Sequence, residues 1–216
     1  MALCLPKKAK AANTLPMFHR MFLLSWMLFP CPALADGALL GALREGGLVI
    51  FLRHAETGSS APDQAGAVLG DCTTQRNLDA TGRAQAVAIG AAMRQLEIPV
   101  TRVLASPFCR AMETAALAFG WAEPKPALSL PRHVDAAAHA AMGTALRGML
   151  PEPGFAGNWV LVGHSYHMIG AGGPSPQPQG AAIILRPLGE GRFAVLGTVP
   201  PNGWEGLGCM GPAGPL

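Results

Sequence analysis

The chain carries little charge. Asp, Glu, Lys and Arg make up 13% of its 216 residues, and half of the residues are hydrophobic. This composition excludes a disordered, solvated tail and suits one domain with a sizeable core. No Cys-x-x-Cys pair and no His-rich cluster occurs, so no spacing points to a metal site. There is no internal repeat, which excludes a solenoid or an array. Glycine and proline, by contrast, are abundant at 27 and 20 residues and announce many turns.

The first 35 residues read differently from the rest. Lys7, Lys8, Lys10 and Arg20 form a positive stretch, Met21–Phe29 (MFLLSWMLF) is apolar, and Ala33-Leu34-Ala35 offers small residues for cleavage. The apolar run is short for a membrane span, so residues 1–35 are read as a secretory signal peptide and 36–216 as the mature domain. The alternative is an uncleaved membrane anchor. The long basic region leaves Met17 or Met21 as possible starts, and Cys31 lacks the small residues that precede a lipid-attachment site. Residues 1–35 hold four of the 16 Lys and Arg and none of the 13 acids, so the remainder has 12 basic against 13 acidic residues, a net charge of −1. Without a basic stripe, nucleic acid is not an expected partner, and membrane contact is expected only through the signal peptide. Of the five cysteines, Cys72, Cys109 and Cys209 then remain. Under oxidising conditions one pair can bridge and leave one thiol over. Cys72–Cys109 is favoured because both flank segments expected to meet, although the other pairings stay open.

The apolar run over residues 48–53 predicts a strand buried on both faces. A polar loop follows from Gly58 to about Asp79. A helix is expected over Ala80–Leu96, capped by Asp79 or Thr81, with Ala84, Val87, Ala88, Ala91 and Ala92 as its apolar face. Val100–Ser106 reads as a second strand, Cys109–Phe119 as a helix stopped by Gly120, and Asp135–Leu150 as a third helix. Asn158–Ser165 reads as a third strand, and the segments AAIILRP and RFAVLGTV as a hairpin joined at LGEG. Strands alternating with helices indicate an α/β domain with a mainly parallel sheet, whose ligands bind beyond the strands' carboxyl ends.

Three strands end in chemistry-bearing residues: Arg53-His54, Ser106 with Arg110 close behind, and Gly163-His164. If the strands are neighbours, two guanidiniums and two imidazoles meet in one crevice. Such a cationic pocket suits a tetrahedral oxyanion, best a phosphate, because arginine grips it through paired parallel bonds. An unprotonated histidine is also a nucleophile toward phosphorus, provided its other nitrogen donates a hydrogen bond that sets the tautomer.

The motifs around these residues resemble the histidine phosphatase superfamily, the phosphoglycerate mutase-like fold, in its smaller branch-one members. LRHAET resembles the Arg-His-Gly signature, with Ala55 in place of the glycine. NLDATGRAQAVAIG, VLASPFCRAMETA and VLVGHS resemble three further family segments, in order, and the similarity runs from about Leu48 to Val199. The resemblance implies a three-layer α/β/α sandwich and a phosphatase that hydrolyses a phosphomonoester (a small molecule, a sugar phosphate or a phosphoprotein), with no metal or other cofactor; with the signal-peptide reading, the phosphatase is expected to be exported. His54 would become phosphorylated, Arg53, Arg110 and His164 would hold the phosphoryl group, and Glu113 would orient the pocket or cap locally. The mutase-type Leu-x-Glu-Arg stretch is missing. Asp135 is the best-placed acid/base, Glu123 the second, and a substrate with a good leaving group needs neither. That absence also keeps open a non-catalytic domain binding a phosphate or sulfate ligand.

Other residues are expected to matter less. Arg132-His133 repeats the dipeptide in a loop, His167 is placed at the pocket mouth or idle on the surface, and His139 on a solvated helix face. Arg76 is expected in a surface pair, with contact to a second anionic group of the substrate as the alternative. The small, Gln- and Pro-rich loops 58–70 and 170–180 predict an open mouth without a dedicated charged subsite.

Overall fold

A computed structural model describes residues 32–58 and 66–208. The segment read as a signal peptide lies outside the described residues except for its last four, and Cys209 also lies outside them.

Each element follows from local chemistry. Helix α1 (Pro32–Glu45) precedes strand β1 (Val49–Arg53), which is buried along its length until Arg53. Helix α2 (Ala80–Gln95) starts at Asp79, whose Oδ1 accepts from the Gly82 amide at 2.7 Å. Strand β2 (Val100–Ala105) leads to α3 (Cys109–Phe119), which stops at Gly120 in the left-handed region, φ +81°. A two-residue strand β3 (Glu123–Pro124) and helix α4 (Ala136–Met149) follow. Strand β4 (Asn158–Gly163) runs directly into the short helix α5 (Ser165–Gly170). Strands β5 (Ala182–Gly189) and β6 (Arg192–Val199) form the expected hairpin, and α6 (Trp204–Gly208) ends the described chain. The sequence reading did not anticipate α1, β3, α5 or α6.

The six strands lie in the order β3-β2-β4-β1-β5-β6. The first four are parallel, and β5 and β6 add antiparallel. Alternate residues divide the core between the two faces. Ile50, Leu52, Val103 and Val160 pack with α1, α2, α3 and α6 through Leu43, Ile89, Ala115 and Trp204. Val49, Phe51, Leu104 and Leu161 pack on the other side with Leu146 of α4 and Met168 of α5. The fold is therefore the three-layer α/β/α sandwich. Each fully buried Leu or Ile contributes roughly 1.5–3 kcal/mol, so the two layers hold the sheet rigidly. At the amino ends of the parallel strands, buried Asn158 donates to the Leu43 and Pro99 carbonyls and accepts from the Leu48 amide.

The buried face of α2 corrects the sequence reading. Ala84, Val87, Ala88 and Ala91 are exposed, and only Ala92 of the expected face is buried. The packed face is Gly82, Ala86, Ile89, Gly90, Ala92 and Met93. Two glycines decide this orientation: a Cβ on Gly82 would lie 1.9 Å from the Glu56 carbonyl oxygen, and one on Gly90 would lie 2.0 Å from that of Ala118. Close backbone approach to the loop after β1 and to α3 outweighs methyl burial here.

Candidate active site

The parallel strands end in register. Arg53 pairs with Gly163, and Ala105 with Val162. The ladder then continues one residue further, as the His54 amide donates to the Gly163 carbonyl and the Ser106 amide to that of Val162. His54, Ser106 and His164 are therefore brought to one edge by the sheet itself. Between them opens a pocket of about 330 Å³, lined by Arg53, His54, Arg110 and His164 together with Arg76. Leu130, Ser165, Tyr166, Ile169, Ser175 and Gln177 complete the wall.

His54 is 3% exposed. Its Nδ1 lies 2.8 Å from the Ala55 carbonyl oxygen. A carbonyl only accepts, so Nδ1 carries the hydrogen and Nε2 keeps its lone pair. Ala55 is itself fixed, because its amide donates to Thr114 Oγ1, which in turn donates to the Arg110 carbonyl. Burial, then the Arg110 charge, pushes the His54 imidazole down to about 3, against the weaker opposing pull of the Ala55 carbonyl. The ring is thus neutral at physiological pH, as a nitrogen nucleophile must be.

His164 stands edge-on to His54, with ring centroids 5.4 Å apart. Its Nε2 is 3.0 Å from Ser106 Oγ, while its buried Nδ1 has no hydrogen-bond partner among the described residues. Burial, followed by the other charges in the pocket, holds it well below the usual histidine range. Arg110 is fully buried, its guanidinium 4.7 Å over the Phe108 ring, and it donates to the Arg76 carbonyl at 3.4 Å. Arg53 donates to Gln177 Oε1 at 2.6 Å and to the Pro176 carbonyl. Its pKa is lowered by burial first and then by Arg76.

The remaining candidates lie elsewhere. Asp135 is exposed and caps α4, its Oδ1 accepting from the Ala138 amide at 2.8 Å; it does not line the pocket. Glu113 pairs with Arg83 at 2.6 Å on the outer side of α3, and Glu123 with Arg102 at 3.0 Å. No carboxylate lines the pocket among the described residues. Arg132 and His133 are exposed and apart from it.

Three expectations change. Arg76 lines the pocket, so the mouth does carry an additional guanidinium. His167 is fully buried between the His164 and Ala127 carbonyls, at 3.3 and 3.2 Å, and braces α5 instead of facing the mouth. His139 is half-buried and stacks on Tyr166, with centroids 5.0 Å apart. Ser165, Tyr166 and Gln177 carry no spacing signal. The residues directly after a strand-terminal histidine were the available clue to the first two.

The three buried histidines make stability depend on pH. His54, His164 and His167 all titrate below their ordinary value in the folded state, chiefly through burial. The unfolded chain binds their protons below about pH 6.5. Stability is therefore full above that pH and falls as the pH drops toward the folded pKa of His54, about 3. Between pH 7 and 5 His54 alone accounts for about 2 kcal/mol. Thermal unfolding should show a flat melting temperature above pH 7 and a steep loss below 6.5, shallower in His54→Ala. A melting temperature constant from pH 7 to 5 would contradict the neutral buried ring.

A sequence model of the histidine phosphatase superfamily (branch 1) matches residues 49–129. That range holds Arg53, His54, Arg76 and Arg110, and His164 lies beyond it. No curated protein is detectably similar in sequence. Among solved structures, the chain is similar to phosphoserine phosphatase from Entamoeba histolytica in complex with 3-phosphoglyceric acid. The two share 15% identity at a TM-score of 0.51, covering 70% of this chain and 95% of the other. It is also similar to the putative phosphohistidine phosphatase SixA from Agrobacterium tumefaciens, at 23% identity, TM-score 0.45 and coverage of 71% and 97%.

Proposed function

Through residues 49–129 the chain belongs to branch 1 of the histidine phosphatase superfamily, and on that premise we propose that it is an exported phosphatase working through a phosphohistidine intermediate on His54. The observation that carries this reading is the His54 tautomer: Nδ1–H is tied to the Ala55 carbonyl, which leaves Nε2 as the attacking atom among Arg53, Arg110 and His164. Nε2 bonds to phosphorus as the bond to the leaving group breaks. The arginines neutralise charge on the phosphoryl oxygens, and the neutral His164 ring contributes a hydrogen bond. Water then attacks the phosphohistidine and releases inorganic phosphate, restoring the ring.

The wall of the pocket bears on the substrate. Asp135, Glu113 and Glu123 are engaged elsewhere, and among the described residues no carboxylate lines the pocket to protonate a departing alkoxide. The substrate is then a phosphorylated small molecule, sugar or protein whose leaving group departs without strong acid assistance, such as an aryl, acyl or nitrogen-linked phosphoryl group. Export is supported by the basic and apolar N-terminal segment and by the Cys72–Cys109 disulfide, a bond that persists in oxidising compartments.

The test is turnover by the mature domain in EDTA, with rapid acid-free quenching to trap phosphoryl-His54. We expect p-nitrophenyl phosphate to be cleaved about 100-fold faster than glycerol phosphate in kcat/KM, the scale of general-acid assistance that a good leaving group does not need. Equal rates on both would overturn the acid-free reading. Micromolar phosphate binding with no turnover and no trapped phosphohistidine would instead establish the non-catalytic binding domain.

A further inference from the structure

The segment that brings Arg76 to the pocket is anchored on one side by Leu78, which is buried and bridges Thr57. It belongs to the loop between β1 and α2. The three-residue turn Cys72–Thr74 inside it buries no side chain, and Gln75 is the first buried residue after it. Three ties fasten this segment to the start of α3. The Cys72–Cys109 disulfide joins them covalently, the Cys109 amide donates to Gln75 Oε1 at 2.8 Å, and the Arg110 guanidinium donates to the Arg76 carbonyl. Cys109 is the residue immediately before Arg110, and Cys72 lies four residues before Arg76. The covalent tie therefore spans the two segments whose arginines line the same pocket.

We propose that the Cys72–Cys109 disulfide is a positioning element of the active site: it holds Arg76 beside Arg110, and its reduction lowers oxyanion affinity. This rests on the phosphatase reading for its effect on turnover, whereas the effect on phosphate binding is independent of it. The bond is open to reductants, since Cys72 is exposed and both cysteines border an outer groove with Gly70, Asn77 and Met112. A thiolate of a dithiol attacks one sulfur and forms a mixed disulfide. The second thiol then displaces it, releasing both cysteines as thiols and the dithiol as its own disulfide. Of these three ties to α3 the two hydrogen bonds remain, and loop-closure entropy favours the segment's departure from it.

The experiment compares the oxidised mature domain, the dithiothreitol-reduced domain and a Cys72→Ser/Cys109→Ser variant, well below their melting temperatures. Calorimetric titration with inorganic phosphate should show Kd about tenfold higher without the disulfide. KM for p-nitrophenyl phosphate should rise by a similar factor while kcat changes less than threefold, and reoxidation should restore both. Asn158→Ala, which weakens the opposite end of the sheet, should lower the melting temperature and leave phosphate Kd unchanged. In the disulfide-bonded protein Arg76→Ala should reproduce the loss of affinity, and reduction of that variant should add nothing. An unchanged Kd on verified reduction, an equal loss in Asn158→Ala, or an Arg76→Ala variant with undiminished affinity would each overturn the proposal. If the reduced protein fails to fold, the Arg76→Ala result decides. A domain that binds phosphate in a redox-dependent way without turnover would overturn the phosphatase reading and leave this one standing.

Discussion

Replacing His54 with alanine lowers kcat for p-nitrophenyl phosphate by about 10⁴-fold or more, the scale seen when a covalent nucleophile is removed. The expectation follows from the placement of one ring. His54 is oriented by the Ala55 carbonyl, buried, and held neutral by its surroundings. No other imidazole of the site duplicates that arrangement: the Nε2 of His164 is taken up by Ser106 and that of His167 by the Ala127 carbonyl. The arginines remain in the variant, so it should still bind inorganic phosphate. Loss of turnover with binding retained separates a missing nucleophile from a collapsed pocket. Activity within tenfold of wild type would remove His54 from the mechanism.

Arg110→Met should separate activity from stability. The guanidinium is fully buried and lies over the Phe108 ring. Removing one charge-stabilising group aimed at the phosphoryl oxygens costs about 10²–10³-fold in kcat/KM. Stability should move little or rise. Methionine fills the volume of the arginine stem, and replacing a buried charge with an apolar side chain is often neutral or stabilising by about 1–4 kcal/mol. Against this stands the loss of the hydrogen bond to the Arg76 carbonyl, worth about 1 kcal/mol. The variant also carries a signature in pH. Arg110 is the leading charge that depresses His54. Without it the imidazole titrates at higher pH, and the acid limb of kcat/KM shifts upward. A variant that keeps wild-type kcat/KM, or loses it with an unmoved acid limb, would contradict this role.

Much of the framework was legible because strand ends carry strong local signals. The apolar run before Arg53 and the Ala-rich helices behind Asp79 and Asp135 needed no tertiary information, and the expected cap Asp79 accepts its amide bond. The same legibility misled in one case. Asp135 looked like a free acid near the site, yet a carboxylate at a helix start is already used by the amides there. The face of α2 was misread because small and apolar residues occupy most of its positions. With so little contrast, packing of backbone on backbone at Gly82 and Gly90 sets the helix's rotation.

Residue type and position along the chain determined, without any structure, that Arg53, His54, Arg110 and His164 stand at or just beyond strand ends. Parallel pairing in an α/β sheet then turns three strand ends into one site, a consequence of pleat and register that the apolar runs already imply. What the tertiary structure alone decided is what surrounds that site. It brought Arg76 in from 34 residues before Arg110, placed Tyr166 and Gln177 in the wall, and kept every described carboxylate out. These contacts depend on loops closed by a disulfide and a few hydrogen bonds, which have no periodicity to read. Repeating patterns of burial reveal strands and helices, but the pairing of one loop with one helix start is set only when the whole chain packs.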